Sequence, residues 1–277
     1  MANRCTTVPV KNGRNVLRYG NTKNVMRFVV IVSLTLAAAS GEGARPDVDA
    51  GRLQTGSFSF RTLVDGKEVG QSRIQIRRSA DLRNYLFTNL VIGSFSQSWE
   101  AVASPAFRPV SVKLSFGQGS AVRTAFDLSY QGDRVTGFIT SKKEPLKKRE
   151  VGETVPDDTV DQRIDWAAVM ALGKYVEGQE SRFHVYDPGT GNSLVSVRIG
   201  ESQTTTVPAG SFETVRVSYR IDKRSGPETY EVFVTKQPPR FLVKEKFPNG
   251  SITELMEFTK STPGMSWYPL GHCSEVS

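Results

Sequence analysis

The residue types that most often perform chemistry are scarce in this sequence of 277 residues. It contains two histidines, His184 and His272, and two cysteines, Cys5 and Cys273. A zinc site takes about four ligands at recurrent spacing, and the adjacent side chains of His272 and Cys273 do not easily reach one ion together. We therefore expect no metal site. His184 falls within a predicted strand, which favours a packed or surface residue over a catalytic base.

Four aspartates before a predicted helix are the best candidates for carboxylate chemistry or Ca²⁺ binding: Asp157, Asp158, Asp161 and Asp165. Their spacing lacks the Gly and the closing Glu of an EF-hand loop. Carboxylates at this position also favour the positive end of a helix, so we prefer a structural role. No G-x-S-x-G elbow or P-loop occurs, and Gly117-Gln118-Gly119 is typical of a turn. We expect no enzymatic activity, no catalytic residues and no cofactor.

The positive charge of the sequence is concentrated near its beginning. The formal net charge is +8, and residues 1–40 contain six basic residues and no acidic one. Without them, 30 basic residues face 28 acidic ones, so the remaining net charge is +2. A nearly neutral body gives no electrostatic reason to expect a nucleic-acid partner. A second basic run precedes acidic residues and is typical of a solvated loop: Lys142, Lys143, Lys147, Lys148 and Arg149.

Residues 26–40 have the organisation of a secretory signal peptide. Met26 and Arg27 precede the apolar run FVVIVSLTLAAA at 28–39, and small residues follow it. The run is short for a membrane span, which needs roughly 20 residues. We predict export to the periplasm or the exterior of a bacterial cell, with Met26 as a second candidate for the start of the protein. An uncleaved N-terminal anchor is the alternative, and membrane contact would then be confined to this leader.

After the leader 1–40 and a polar linker at 41–55, strand-like runs alternate with turn signals as far as residue 260. Asp65-Gly66 and Asn249-Gly250 are hairpin signals, because their glycines accept a positive φ. One helix is predicted over 165–173, with Asp165 as its cap. We predict a mainly β fold with a single antiparallel domain at 56–260 and a loop-like tail at 261–277. About a dozen strands would form a curved meander sheet, either a half-barrel, a partly closed barrel or two layers, with one short helix near the middle.

The segment TTTVPAGSFETVRVSY, residues 204–219, has the clearest local pattern. Pro208 belongs at a strand end, and Gly210 supplies the freedom that a tight reversal needs. Val215, Val217 and Tyr219 alternate on one face of the strand, and Phe212 falls on the other parity. This predicts a bulge or twist at 212–213, which would still let Phe212 reach the core. The segment has neither a nucleophile–base pair nor metal ligands. We interpret it as a turn that sets strand register.

The run VPAGSFETVRV at 207–217 also carries a family resemblance. Together with DGKEVG at 65–70, a P-V-S strand at 109–111 and the order of elements, it resembles a bacterial exported family known as domain of unknown function 3108. The resemblance spans roughly residues 55–260 and implies an exported protein with a curved antiparallel sheet. It brings no catalytic residues. The architecture is also similar to that of periplasmic lipoprotein carriers, whose half-barrels hold acyl chains under a helix.

These observations leave three functions open. The leading hypothesis is a non-enzymatic β domain of the envelope that binds an apolar ligand, such as a lipid or lipoprotein acyl chain, or another envelope component. The second is a structural or protein-interaction module with a filled core. The third is a hydrolase of unrecognised type, which would require His184 to meet a serine and a carboxylate in one cleft. The sequence does not decide whether its aromatic residues fill the interior or line a cavity.

Overall fold

The computed structural model describes residues 46–93, 96–117, 122–140 and 147–261. The predicted leader at 1–40, residues 41–45 of the predicted linker, His272 and Cys273 lie outside the described residues. The signal peptide therefore stays a prediction.

The described residues form one antiparallel sheet that curves without closing, which confirms the predicted fold class. The sheet has fifteen strands rather than about a dozen. They are β1 Gly56–Val64, β2 Lys67–Arg78, β3 Tyr85–Gly93, β4 Gln97–Ala103, β5 Pro109–Phe116, β6 Arg123–Gln131, β7 Arg134–Thr140, β8 Lys148–Thr154, β9 Val160–Asp161, β10 Glu180–Asp187, β11 Gly191–Val207, β12 Gly210–Lys223, β13 Gly226–Thr235, β14 Leu242–Lys246 and β15 Ile252–Lys260.

The strands follow a meander in which the first and last strands are neighbours at the centre of the sheet, while β8 and β9 form its two edges. The spatial order runs from β8 back to β1, then from β15 back to β9, and β1 pairs antiparallel with β15. Only the short β9 pairs in parallel, with β10. Part of the stretch interpreted as a basic loop is in fact strand β8, because Val151 is buried there and pairs with Gly137.

The turns of this meander fall alternately at two ends of the sheet. The turns after β1 and β3 lie at one end. The turns after β12 and β14 lie at the same end, because β15 runs antiparallel to β1 and its first residue, Ile252, lies opposite Leu63 near the end of β1. We call this the β1–β2 end. The opposite end, where β2, β4, β11 and β13 finish, is called the α1 end.

The helix α1, Asp165–Met170, lies among the core residues, and all six of its residues are buried. It is shorter than the predicted 165–173. The reason is Arg240, in the β13–β14 connection, whose guanidinium donates to the carbonyl oxygens of Met170, Leu172 and Gly173. These carbonyls therefore have a side-chain partner instead of a further helical turn. The guanidinium also stacks on Tyr175, 3.8 Å from the ring centroid.

Backbone contacts and aromatic rings cover the α1 end. The backbone N–H of Asp49 donates to the carbonyl of Ala171 at 3.0 Å, and that of Ala50 donates to Pro105 at 2.7 Å. Four phenylalanines pack together nearby, with ring centroids 4.9 to 6.3 Å apart: Phe58, Phe212, Phe241 and Phe258. This end of the interior is filled with side chains.

The segment at 204–219 builds a turn and a strand, as its pattern indicates. Pro208 and Ala209 form the turn between β11 and β12, and Gly210 has φ +130°. Phe212 reaches the aromatic cluster, but the bulge predicted at 212–213 is absent. The register shift lies in β11 instead, between Ile199 and Ser202. Gly200 lies at this shift, where a Cβ would be 2.9 Å from a backbone oxygen of β12.

Candidate functional site

The interior of the sheet contains a cavity of about 610 Å³. Part of its lining lies close to the β1–β2 end, where strands begin or finish. These lining residues are half-buried and lie within three residues of a strand terminus: Thr62, Val91, Gln97 and Lys223. The fully buried part of the lining includes Asp165 and Trp166 of α1. The cavity therefore extends from the β1–β2 end to the helix, while the α1 end is filled.

One wall of the cavity is mostly apolar. It is formed by β2 to β6, whose alternate side chains point to the same face of the sheet. Five large apolar or aromatic residues of this wall line the cavity: Ile74, Val91, Trp99, Leu114 and Phe126. Its polar members are uncharged, namely Ser72, Asn89 and Gln97. This wall is suited to contact with a hydrocarbon or aromatic surface.

The opposite wall holds every charged residue that lines the cavity. It is built from the segment 162–166 and from residues of β10 to β15. The charged members are Arg163, Asp165, Asp187, Lys223 and Glu245. Tyrosine rings separate them, and Tyr219 stacks on Tyr230 with centroids 5.0 Å apart and planes 9° apart. The two walls thus differ in chemistry, so the cavity has an apolar side and a charged side.

Most of these charges neutralise one another. Arg163 binds Asp161 through two nitrogens and reaches Asp187 with a third, at 2.5 Å. Lys223 donates to Glu228 at 2.6 Å. Arg163 also lies over the ring of Phe126, 4.6 Å from the centroid. These pairs fix the segment before α1 and the end of β12, and neither cation makes an ion pair with Asp165 or Glu245.

Asp165 and Glu245 are buried, and neither makes an ion pair with any of the described residues. Their residues are 5% and 9% exposed. Burial raises the pKa of Asp165 to about 7, although the Trp166 backbone N–H bonded to its carboxyl and the nearby charges of Arg163 and Lys223 act in the other direction. Burial, together with the charge of Asp165, raises the pKa of Glu245 to about 8, although the hydrogen bond from Tyr219 acts in the other direction. The Tyr219 hydroxyl donates to Glu245 Oε1 at 3.3 Å. Both carboxyls therefore hold their protons more tightly than exposed ones.

The four aspartates singled out in the sequence do not form one site. Asp165 lines the cavity, whereas Asp161 binds Arg163 and accepts from the Tyr130 hydroxyl at 2.7 Å. Asp158 lies 2.7 Å from Nδ1 of His184, and Asp157 is exposed. Within the part of the chain that the structure describes, no group of three or more His, Cys, Asp or Glu residues is placed to hold a metal ion.

His184 forms a pair with a carboxylate that sequence reasoning did not anticipate. Its neighbours Phe183 and Val185 are buried, while its own side chain is half-buried on the other face of β10. It does not line the cavity. Among the described residues no serine hydroxyl is hydrogen-bonded to His184. The pair thus lacks the nucleophile that a serine hydrolase requires.

Glu245 is the cavity residue that sequence reasoning missed most plainly. Every second residue along this stretch of the chain is Phe241, Val243, Glu245 and Phe247, so one carboxylate occurs in an otherwise apolar series. A charged residue on an apolar strand face is unusual unless it is paired or functional. This pattern is the sequence signal that singles out Glu245. The meeting of Glu245 with Asp165 depends on the curvature of the sheet, which no local pattern encodes.

Fold and site together define a class: an all-β protein whose curved antiparallel sheet surrounds a short helix and a partly charged cavity. The chain belongs to the family described as "Protein of unknown function (DUF3108)", whose model matches residues 47–257. This confirms the resemblance carried by residues 207–217. Among the described residues, no helix combines the length and hydrophobicity required to cross a bilayer.

Solved structures give fold-level relatives only. A β-barrel-like protein of domain of unknown function 1849 from Brucella abortus matches with a TM-score of 0.50 and 9% identity, over 76% of this chain and 99% of that one. A candidate exported protein with a YmcC-like fold from Bacteroides fragilis matches with a TM-score of 0.38 and 12% identity, over 77% and 99% of the two chains. A candidate lipoprotein from Parabacteroides distasonis has a TM-score of 0.32 and 13% identity, over 76% and 99%. No curated protein matches the sequence.

Proposed function

We propose that this is an exported, non-enzymatic protein of the bacterial envelope that holds an amphipathic ligand in its interior cavity. The observation that carries the proposal is the division of the cavity into an apolar wall and a charged wall. Its volume of about 610 Å³ lies within the range of roughly 300–1,000 Å³ that is typical of small-molecule sites.

The apolar wall fits the hydrocarbon part of such a ligand. Trp99, Leu114 and Phe126 present large apolar surfaces that a chain would remove from water, at about 25 cal/mol per Å² of apolar surface buried. A wholly apolar ligand would leave the carboxyls of the other wall without polar contacts. We therefore narrow the sequence-based expectation of a lipid or acyl chain to a molecule that also carries a polar group.

Location and lack of catalysis are parts of the same proposal. The signal-peptide pattern at 26–40 supports export, and the membership of a family of unknown function assigns no chemistry. The His184–Asp158 pair lies away from the cavity, so it does not favour the hydrolase alternative. A cavity of this size in turn speaks against the alternative of a module with a filled core.

The binding part of the proposal is tested with N-phenyl-1-naphthylamine, a neutral apolar dye that fluoresces when it leaves water. Two neighbouring residues of β3 provide a matched pair of variants, because Val91 lines the cavity and Ile92 is 53% exposed on the other face. We expect Val91→Trp to fill the cavity and abolish dye binding, while Ile92→Trp binds like the wild type. Equal binding by both variants would overturn the proposal, because the dye would then bind outside the cavity.

A further inference from the structure

The charged wall of the cavity is electrostatically incomplete. The nearby cations are engaged elsewhere, Arg163 with Asp161 and Asp187, and Lys223 with Glu228. Asp165 and Glu245 have no Lys, Arg or His nitrogen within ion-pair distance in the described part of the chain. Buried carboxylates are normally paired, since an uncompensated charge in the interior is costly. A cationic group on a ligand would supply the ion-pair partner that both carboxyls lack in the described part of the chain.

The hydrogen-bond donors of the same wall are engaged as well, since Lys223 and Tyr230 donate to Glu228 and Arg163 donates to Asp161 and Asp187. Asp165 Oδ1 accepts from the Trp166 backbone and Glu245 Oε1 accepts from Tyr219, but their second oxygens receive no hydrogen bond from the described residues. On the opposite wall, Asn89 Oδ1 is buried without a donor. The cavity thus offers several oxygen acceptors to a guest that supplies donors.

Resting on the proposed function, we propose that the polar group of the ligand is a protonated amine, bound by Asp165 and Glu245. An ammonium group supplies both one positive charge and up to three donors. A hydroxyl supplies one donor and no charge, and a carboxylate or phosphate would be repelled by the two acidic side chains. Trp166, Tyr219 and Tyr230 line the same wall, and aromatic side chains of this kind attract cations. The ligand's apolar chain lies along the β2–β6 wall.

Binding of such a cation is coupled to protons. Near neutral pH the empty protein has Glu245 mostly protonated and Asp165 about half protonated, because burial raises their pKa to about 8 and about 7. A bound ammonium favours the ionised carboxylates, so binding releases protons and strengthens as the pH rises toward about 9, where an alkylamine with a pKa of about 10 is still charged. The other titratable or charged groups around these two carboxyls are Asp161, Arg163, Asp187, Tyr219, Lys223, Glu228 and Tyr230.

The experiment compares three probes that share one chain: decylamine, decanol and decanoate. Each is titrated by calorimetry into the wild type, Glu245→Gln and Asp165→Asn, below the concentration at which the probes aggregate. We expect the wild type to prefer decylamine, and each amide variant to lose about ten- to a hundredfold in affinity for it, the range of a hydrogen bond to a charged group. Affinity for decanol should change little, which also shows that the variants are folded.

The pH dependence gives an independent readout. Decylamine should bind the wild type more tightly as the pH rises from about 6 to about 9 and release protons to the buffer, while Glu245→Gln should release fewer. Equal affinity for decylamine and decanol, or a preference for decanoate, would overturn the amine assignment and leave the amphipathic-ligand proposal standing. Failure of all three probes to bind would remove both.

Discussion

Replacing Glu245 by glutamine should make the protein more stable in alkaline solution. The carboxyl is buried beside Asp165, and its pKa is about 8 in the folded protein against 4.5 for an exposed glutamate. Between these two values the folded state holds a proton that the unfolded chain has released. Stability is therefore lost as the pH rises through this window, by about 1.4 kcal/mol per pH unit and about 5 kcal/mol in total.

Glutamine removes this loss and keeps the shape of the side chain. Its amide oxygen can still accept from the Tyr219 hydroxyl, as Glu245 Oε1 does. We expect nearly equal stability of variant and wild type at about pH 5, and an advantage of about 5 kcal/mol for the variant at about pH 9. Asp165→Asn should act with the same sign, in a window that begins near 3.8 and ends at about 7.

Urea unfolding followed by tryptophan fluorescence over this pH range measures the effect directly. The matched control is Glu150→Gln, because Glu150 is exposed on β8. This control should keep the pH dependence of the wild type. If the curves of Glu245→Gln and the wild type run parallel from acid to alkaline pH, Glu245 is not buried as a proton-holding carboxyl and the description of the charged wall fails.

Two further predictions concern the frame around the cavity. Gly210→Val should reduce the free energy of unfolding by about 1–3 kcal/mol and lower the melting temperature, because Gly210 has φ +130°. The control Gly152→Val, at a site with open space around it, should lower stability less. Equal losses of stability in the two variants would contradict this prediction. Arg240→Met should cost about 3–5 kcal/mol in urea unfolding, since it removes the side-chain donor of the buried Leu172 carbonyl and of the partly buried Gly173 carbonyl, whereas the Met170 carbonyl keeps the Tyr175 hydroxyl as a donor. A loss no larger than that of Arg198→Met, on an exposed arginine, would show that Arg240 does not anchor the helix.

The sequence predicts those parts of the fold that depend on local chemistry. Asp65 and Gly66 both have positive φ, at 51° and 74°, as a two-residue hairpin requires. Gly250, with φ +81°, follows the same rule in the Asn249-Gly250 turn. Each of these turns is decided by one or two residues whose backbone preferences are strong. The antiparallel meander follows from the succession of such hairpins.

The parts that the sequence does not predict depend on contacts between distant residues. The end of α1 is set by Arg240, which lies far from the helix along the chain and approaches it only when β13 and β14 are paired. The register shift predicted at 212–213 lies at Gly200, on the partner strand, where the close approach of two backbones is a tertiary property. A break in the apolar–polar alternation of one strand does not show whether the bulge lies in that strand or in its partner.

The candidate site shows the same limit. Asp165 is visible in the sequence as one of four aspartates, but nothing local separates it from Asp161, which is neutralised by Arg163. Glu245 stands on an apolar strand face, a signal that points to burial without naming a partner. The cavity exists because a sheet of fifteen strands curves around a helix of six residues. Its shape follows from that curvature, so it emerges only in the folded chain.

The most direct test of the binding site is a methyl NMR titration of the wild-type protein with decylamine. Ile74, Leu114 and Leu242 line the cavity, whereas Leu90 and Ile92 are exposed, at 45% and 53%. The account predicts that the methyl signals of the first three shift with a common affinity while those of the last two stay in place. Shifts confined to Leu90 and Ile92, or no shifts at all, would contradict it.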